Sequence, residues 1–330
     1  MKSYNYILTF VAVLLLTGVN TVNGQTKEKG PWWPHPIWGA GDQAGASNWI
    51  TPEKIFEAMK MVKSGKVYEM GHVYEKGMPL YGNRSYELRS PGAPTGGTYG
   101  DNNIVYNDEF ITTEIGQVGT QFDGLGHVGT RMKFEDGSEH DVYYNGMTGD
   151  EMYSAYGLRE LGVERIKPII TRGILIDIAG YKNVEILPNS YEVTVEDVKG
   201  AMKKQGINED GIKTGDAVFF RYGWTKLWSD PEKYNTNPPG IGLDVAKWVA
   251  AKNITMVGSD QYGTEVEPNP DPNSFVPVHQ YLLSRHGILN LENLDFESLI
   301  QDEVYQFMFI FTPVRFKGAT GSPGRPIAIR

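Results

Sequence analysis

The chain has 330 residues, 40% hydrophobic and 22% charged, a composition that excludes a disordered polypeptide and can fill a large core. A formal net charge of −9 without any basic block excludes nucleic acid as a partner, because phosphate neutralisation needs clustered Lys and Arg. The absence of cysteine excludes disulfides and a lipid-modified bacterial N-terminus.

Residues 1–24 read as a signal peptide. Lys2 precedes an apolar run from Ile7 to Leu16, and small residues lead to a cleavage point after Gly24. The run is shorter than the ~20 residues that span a bilayer. The mature protein is therefore expected to begin near Gln25 and to be exported, periplasmic or secreted, without a membrane anchor. Residues 25–330 read as a single domain, opening with an arm over about 25–50 that is rich in Gly, Pro and Trp. Trp32, Trp33 and Trp38 are expected to pin that arm to the core, the alternative being that they line a substrate pocket.

Thr51 and Pro52 predict a capped helix ending at Gly65, with Ile55, Met59 and Val62 on one face. Residues 81–103 are Gly- and Pro-rich and read as one long lid or binding loop. Further helices are predicted from Thr194 to Gly206, with Val198, Ala201 and Met202 in register, and from Leu243 to Lys252, with Val245, Trp248 and Val249 inward. The last helix is "PVHQYLLSRHG", ending at Gly287. Between the helices lie the β-rich runs "KVYEMGHVY", "EFITTEIG", "RGILIDIAG", "DAVFFRYGW", "ITMVGSD" and "VYQFMFIFTP". Near-continuous apolar runs such as "GILIDIAG" are what buried strands require. The fold class read from this pattern is mixed α/β or α+β.

The stretch "TEIGQVGTQFDGLGHVGT", residues 113–130, crowds Asp123 and His127 among glycines. His279 opens the last helix, and Glu292 follows it in "ILNLENL". Together these four make a mixed nitrogen and oxygen donor set suited to Zn²⁺, Mn²⁺ or Fe²⁺. Spacing alone leaves plainer roles open, a helix cap or core residue for either histidine and a turn residue for Asp123. His35, His72, His140 and His286 show no acidic partner pattern, and His286 reads as a helix C-terminal cap. Asp260 ends an apolar run, either near the site or as the polar start of a loop. Asn290 is a candidate polar lining residue.

"QVGTQFDGLGH" resembles the His-x-Gly-Thr-His-x-Asp-x-Pro-x-His signature of the cyclase family. These are metal-dependent hydrolases that include bacterial kynurenine formamidase and isatin hydrolase. "GMPLYG", "IKTGDAVFFRYGW", "VGSDQYGTE", "PVHQYLLSRHGILNLENLDFESL" and "GATGSPGRPIAI" follow in the family's order, so the resemblance covers about residues 35–330. It implies a swivelling β/β/α fold with a barrel-like central sheet, and a homodimer or homotetramer. It implies Asp123, His279 and Glu292 as metal ligands and His127 as proton donor and acceptor, with Tyr81 where the family often stacks a Trp on the substrate. Gln117 and Gln121 stand where the signature has histidines. Gln121 is then expected to complete the metal site as a weaker oxygen ligand, and Gln117 to face the substrate. The cofactor expected is one divalent ion, Zn²⁺ or Mn²⁺, or the family's two, and the glycines would let backbone pass close to metal and substrate. The function implied is hydrolysis of an amide, formamide, lactam or lactone of a small cyclic or aromatic molecule. Its rivals are a polyketide-type cyclase or dehydratase and an exported ligand-binding protein with a degenerate metal site.

Overall fold

The near-continuous apolar runs over Ile169–Asp177, Ala217–Arg221 and Met256–Ser259 become strands buried on both faces. The computed structural model describes residues 29–330, so the expected signal peptide lies outside the described residues. One curled sheet holds nine strands: β1 (Val67–Glu69), β2 (Gln121–Asp123), β3 (Ile169–Asp177), β4 (Ala217–Arg221), β5 (Met256–Ser259), β6 (Leu289–Glu292), β7 (Gln306–Phe311), β8 (Gly321–Pro323) and β9 (Ile327–Ile329). Their spatial order is β1-β9-β7-β3-β4-β5-β6-β2-β8. Strands β3 to β6 are parallel, and the remaining pairings are antiparallel. The expected mixed α/β fold, a barrel-like central sheet flanked by helices, is the one observed.

Side chains alternate between two cores, as the two-residue period of a strand dictates. Ile174, Ile176, Val218 and Phe220 pack with the helices on one face, while Leu175, Phe219 and Phe309 fill the other. Helices α1 (Pro52–Met59), α2 (Val195–Lys204) and α3 (Leu243–Ala250) flank the sheet. Thr194 and Asp197 form a reciprocal capping box at the start of α2, each side chain accepting from the other's backbone N–H at 3.2 Å. Val198, Ala201 and Met202 are buried as the spacing predicts. In α3, Val245 and Val249 are buried, but Trp248 is only half-buried beneath Lys252, whose Nζ lies 4.5 Å from its ring centroid. Trp33 is buried and Trp38 packs edge-on against Trp49 at 5.2 Å, so the arm is pinned.

Two expectations need correction. Helix α1 stops at Met59, and Met59 and Val62 are exposed, whereas Lys54 and Ala58 face inward. The cause is electrostatic: the Lys54 amine reaches the fully buried Asp216 carboxylate at 2.5 Å, and that contact sets the rotation of the helix. Residues 81–103 are not one loop. Tyr86–Arg89 pairs with Phe110–Thr113, and Gly96–Tyr99 pairs with Ile104–Tyr106, making a two-tier ribbon. Its Leu88, Val105, Phe110 and Ile111 are 49–59% exposed. Among the described residues no helix is long and apolar enough to cross a membrane.

Candidate active site

Strands β2 and β6 place Asp123 opposite Asn290 and Gln121 opposite Glu292. Phe122 and Leu291 between them turn into the core, so the four polar side chains share the other face. Each is at most 3% exposed. The third wall is the helical turn Pro277–His279, which runs into a π-helix over Gln280–Arg285. Before it, Val276 sits at φ 41°, ψ 54°, a left-handed conformation that costs a β-branched residue ~1–3 kcal/mol. That bend turns the first helical residues, His279 included, toward the two strands.

The Nε2 of His279 lies 3.0 Å from Glu292 Oε1 and 3.5 Å from Asp123 Oδ2. One donor atom each from Asp123, His279 and Glu292 falls within 4.8 Å of the others. Asn290 ties them together, its Nδ2 donating to Glu292 Oε1 at 2.7 Å and to Asp123 Oδ2 at 3.3 Å. Behind His279 stands Glu265, itself 1% exposed. Its carboxylate accepts from the backbone N–H groups of Val278 and His279 at 3.0 and 2.9 Å, and from His279 Nδ1 at 2.5 Å. Nδ1 is thereby committed, and Nε2 is aimed at the carboxylates, the arrangement that holds a metal-ligating imidazole.

The cluster is charge-imbalanced. Burial, reinforced by the Asp123 charge, pushes the Glu292 carboxyl up to about 8. Burial opposes charge on His279, but its bonds to Asp123, Glu265 and Glu292 prevail and hold the imidazole well above its ordinary value. For Asp123, burial is outweighed by the neighbouring His127 and His279, and its carboxyl sits below its ordinary value. Three buried carboxylates around one imidazole are an excess of negative charge that a divalent cation would neutralise. Gln121 adds an oxygen: its amide nitrogen donates to Glu292 Oε2, and its Oε1 is buried without a partner. An orphaned buried acceptor beside an acidic triad fits a fourth ligand. The donor set therefore suits a divalent ion. Glu265→Gln is expected to weaken zinc binding about 10–100-fold, read by competition with a chromogenic chelator, and unchanged affinity would deny Glu265 a positioning role.

Gln117, at φ 65°, joins the triad to the open side. Its Nε2 donates to Asp123 Oδ1 at 2.9 Å and to His127 Nε2 at 3.2 Å. His127 is half-buried, with Nε2 3.7 Å from Asp123 Oδ1. Both residues line a cavity of about 570 Å³ together with Asp123, Arg84, Tyr153 and Leu158. Tyr81 is half-buried against Tyr262, ring centroids 4.8 Å apart. Its hydroxyl is pushed up by burial and by Glu267, against a smaller downward pull from Arg84.

The remaining candidates have other duties. Asp260 is fully buried and accepts from the N–H groups of Tyr222 and Trp224 at 2.8 and 2.9 Å, stapling backbone. His72 stacks on Trp228 at 3.8 Å. His140 does have an acidic partner, Asp150 at 3.2 Å, which only the packing of its strand on the following helix brings near. The glycines serve close packing of the chain more than access of metal or substrate. A Cβ on Gly124 would lie 2.8 Å from Val163 and 3.0 Å from the Thr320 carbonyl, and one on Gly119, at φ 59°, would lie 2.6 Å from the Tyr74 ring. Sequence reasoning missed Glu265 and Arg84. The signal available for Glu265 was its place just beyond the carboxyl end of the parallel strand β5, where open α/β sheets build their sites.

The family model described as "Putative cyclase" matches residues 68–266. A crystal structure described as that of a novel cyclase superposes with a TM-score of 0.77 at 29% identity, over 89% of this chain and 98% of that one. Isatin hydrolase A from Ralstonia solanacearum superposes with a TM-score of 0.59 at 17% identity, over 80% and 92%. An isatin hydrolase bound to the product analogue thioisatinate gives 0.58 at 19%, over 84% and 98%. At the last two identities the likeness is one of fold. No curated protein matches the sequence.

Proposed function

Because the chain belongs to the cyclase family, we propose that it is a metal-dependent hydrolase cleaving an amide, formamide, lactam or lactone bond of a small cyclic or aromatic molecule. The observation that carries this reading is the buried Asp123, His279 and Glu292 triad, whose Asp123 lines the same cavity as His127. Asp123, His279 and Glu292 would hold the ion, zinc or manganese, with Gln121 Oε1 as the further oxygen. When bound, the ion supplies Lewis-acid polarisation of a carbonyl and lowers the pKa of water from 15.7 toward about 7. One ion is favoured over two, since Asp123 Oδ1 already accepts from the Gln117 amide. That amide also donates to the His127 Nε2 lone pair, so the attacking water has to replace Gln117 there for His127 to act as base. His127 then takes a proton from the attacking water and returns it to the leaving nitrogen or oxygen, a role typically giving ~10²–10⁴-fold in rate.

Export and homo-oligomerisation belong to the same reading. The exposed ribbon of residues 86–113 is two strands wide, marginal alone in water, and rich in exposed apolar side chains. A second copy of the chain would cover it. The test is elemental analysis of the purified protein, its mass by sedimentation, and turnover of formanilide and simple lactams and lactones. Stoichiometric zinc or manganese with addition of one water to a substrate supports the proposal. A product of unchanged mass or one water lighter would favour a cyclase or dehydratase, and a folded protein with neither metal nor turnover would leave a ligand-binding protein.

A further inference from the structure

The cavity beside the triad is lined by several neutral and acidic groups but by one Arg or Lys among the described residues, Arg84. Arg84 is half-buried at the root of the ribbon. Its Nη1 donates to the Tyr81 carbonyl at 2.8 Å, and its guanidinium carbon lies 5.1 Å from the centroid of the Tyr81 ring. Tyr81 in turn packs on Tyr262, so the guanidinium rests on a stack of two rings. Among the described residues no carboxylate lies within ion-pair distance of Arg84. Glu114 lines the same cavity but is exposed, and it accepts from the Ser85 N–H at 2.8 Å. Its carboxyl is held below its ordinary value mainly by backbone N–H bonds and only secondarily by the Arg84 charge. A guanidinium has five N–H donors, so most of those on Arg84 remain for a ligand.

A half-buried cation that makes no direct ion pair among the described residues, in a chain of net charge −9, needs a reason. Two features make Arg84 suited to an anion. A planar guanidinium braced against aromatic rings is pre-oriented, and its fork matches a carboxylate in a bidentate pair. Partial burial of Arg84 in a cavity that Leu158 also lines strengthens that pair relative to open water. Asp123 of the triad lines the same cavity without an ion pair to Arg84, so an anion on Arg84 sits apart from the triad.

We propose that Arg84 forms an anion subsite that selects substrates carrying a carboxylate remote from the bond that is cleaved. This rests on the hydrolase reading for turnover, though not for binding. The substrate class becomes a small aromatic or cyclic amide or ester that is also a carboxylic acid.

Two probe pairs separate this proposal from the hydrolase reading. The first is turnover of 4-formamidobenzoate against formanilide, which differ by the carboxylate alone. The second is binding of 4-aminobenzoate against aniline, measured by calorimetry on the metal-loaded protein without any reaction. Wild-type protein is expected to prefer the carboxylated member of each pair by about 10–100-fold, the range of a charge-assisted hydrogen-bonded contact. R84Q is expected to bring both ratios close to unity, the turnover loss appearing in KM, while R84K restores part of the preference through charge without the fork. Circular dichroism and a thermal midpoint matching wild type would show that R84Q folds. If wild type treats both members of each pair alike, the Arg84 subsite is overturned and hydrolysis of formanilide still stands. If no formamide turns over but 4-aminobenzoate binds selectively through Arg84, the subsite stands and the hydrolase reading falls.

Discussion

Replacing His279 by Ala is expected to remove stoichiometric zinc or manganese from the protein and to abolish hydrolytic turnover. His279 supplies the single nitrogen of the triad, and its Nε2 lies between Glu292 Oε1 and Asp123 Oδ2. Without it, Asp123, Glu265 and Glu292 stay buried with no imidazole among them, a hard oxygen set far less suited to zinc. Elemental analysis after gel filtration checks the result, and retention of metal at the wild-type ratio would remove His279 from the site. A pH effect accompanies it in metal-free wild-type protein. The Glu292 carboxyl is pushed up to about 8 in the folded state by burial and by Asp123, against ~4.3 in an unfolded chain. The folded protein therefore binds the extra proton, so its stability is complete below about pH 4 and declines as pH rises toward about 8. Chelator-treated protein should show a thermal midpoint that falls across this window, and added zinc should restore it. A midpoint flat from pH 5 to 8 would contradict the burial of an unneutralised Glu292.

Asp216→Ala is expected to cost about 3–5 kcal/mol of folding stability, the scale of breaking a buried ion pair. The Asp216 carboxylate is fully buried and serves three neighbours. Lys54 Nζ reaches Oδ1 at 2.5 Å, Arg172 approaches with Nη2 at 2.5 Å and Nε at 3.1 Å, and the Lys213 N–H donates to Oδ2 at 2.7 Å. These contacts fasten α1 to β3 and to the start of β4. Truncation leaves two buried cations with only the partly exposed Glu57 as counter-charge, which is why the loss should far exceed the value of an exposed pair. Urea unfolding measures it, and a change under about 1 kcal/mol would mean that solvent reaches Lys54 and Arg172.

The elements that were legible in the sequence are those whose pattern is local. Strands β3, β4 and β5 appear as apolar runs because each is covered on both faces, β7 because its Phe307, Phe309 and Phe311 fill one core, and α2 because its cap and apolar stripe lie within a dozen residues. The triad was legible through a motif and its order along the chain. Helix α1 was misread because its inward residue is a lysine, and the partner that draws it in, Asp216, is 162 residues away. The ribbon at 86–113 was misread as a loop because glycine and proline interrupt the alternation that its cross-strand pairs sustain.

Sequence by itself determined the fold class, the apolar strands and the residue types able to ligate a cation. Only the tertiary structure decided which of those residues meet. The antiparallel register of β2 on β6 sets Asp123 against Asn290 and Gln121 against Glu292, and the left-handed Val276 turns His279 toward them. It also placed Glu265 behind His279 and Arg84 on the Tyr81 ring. A side chain's chemistry is local, but its burial, partners and charge environment are set by chain segments far away in sequence, and those interactions decide function.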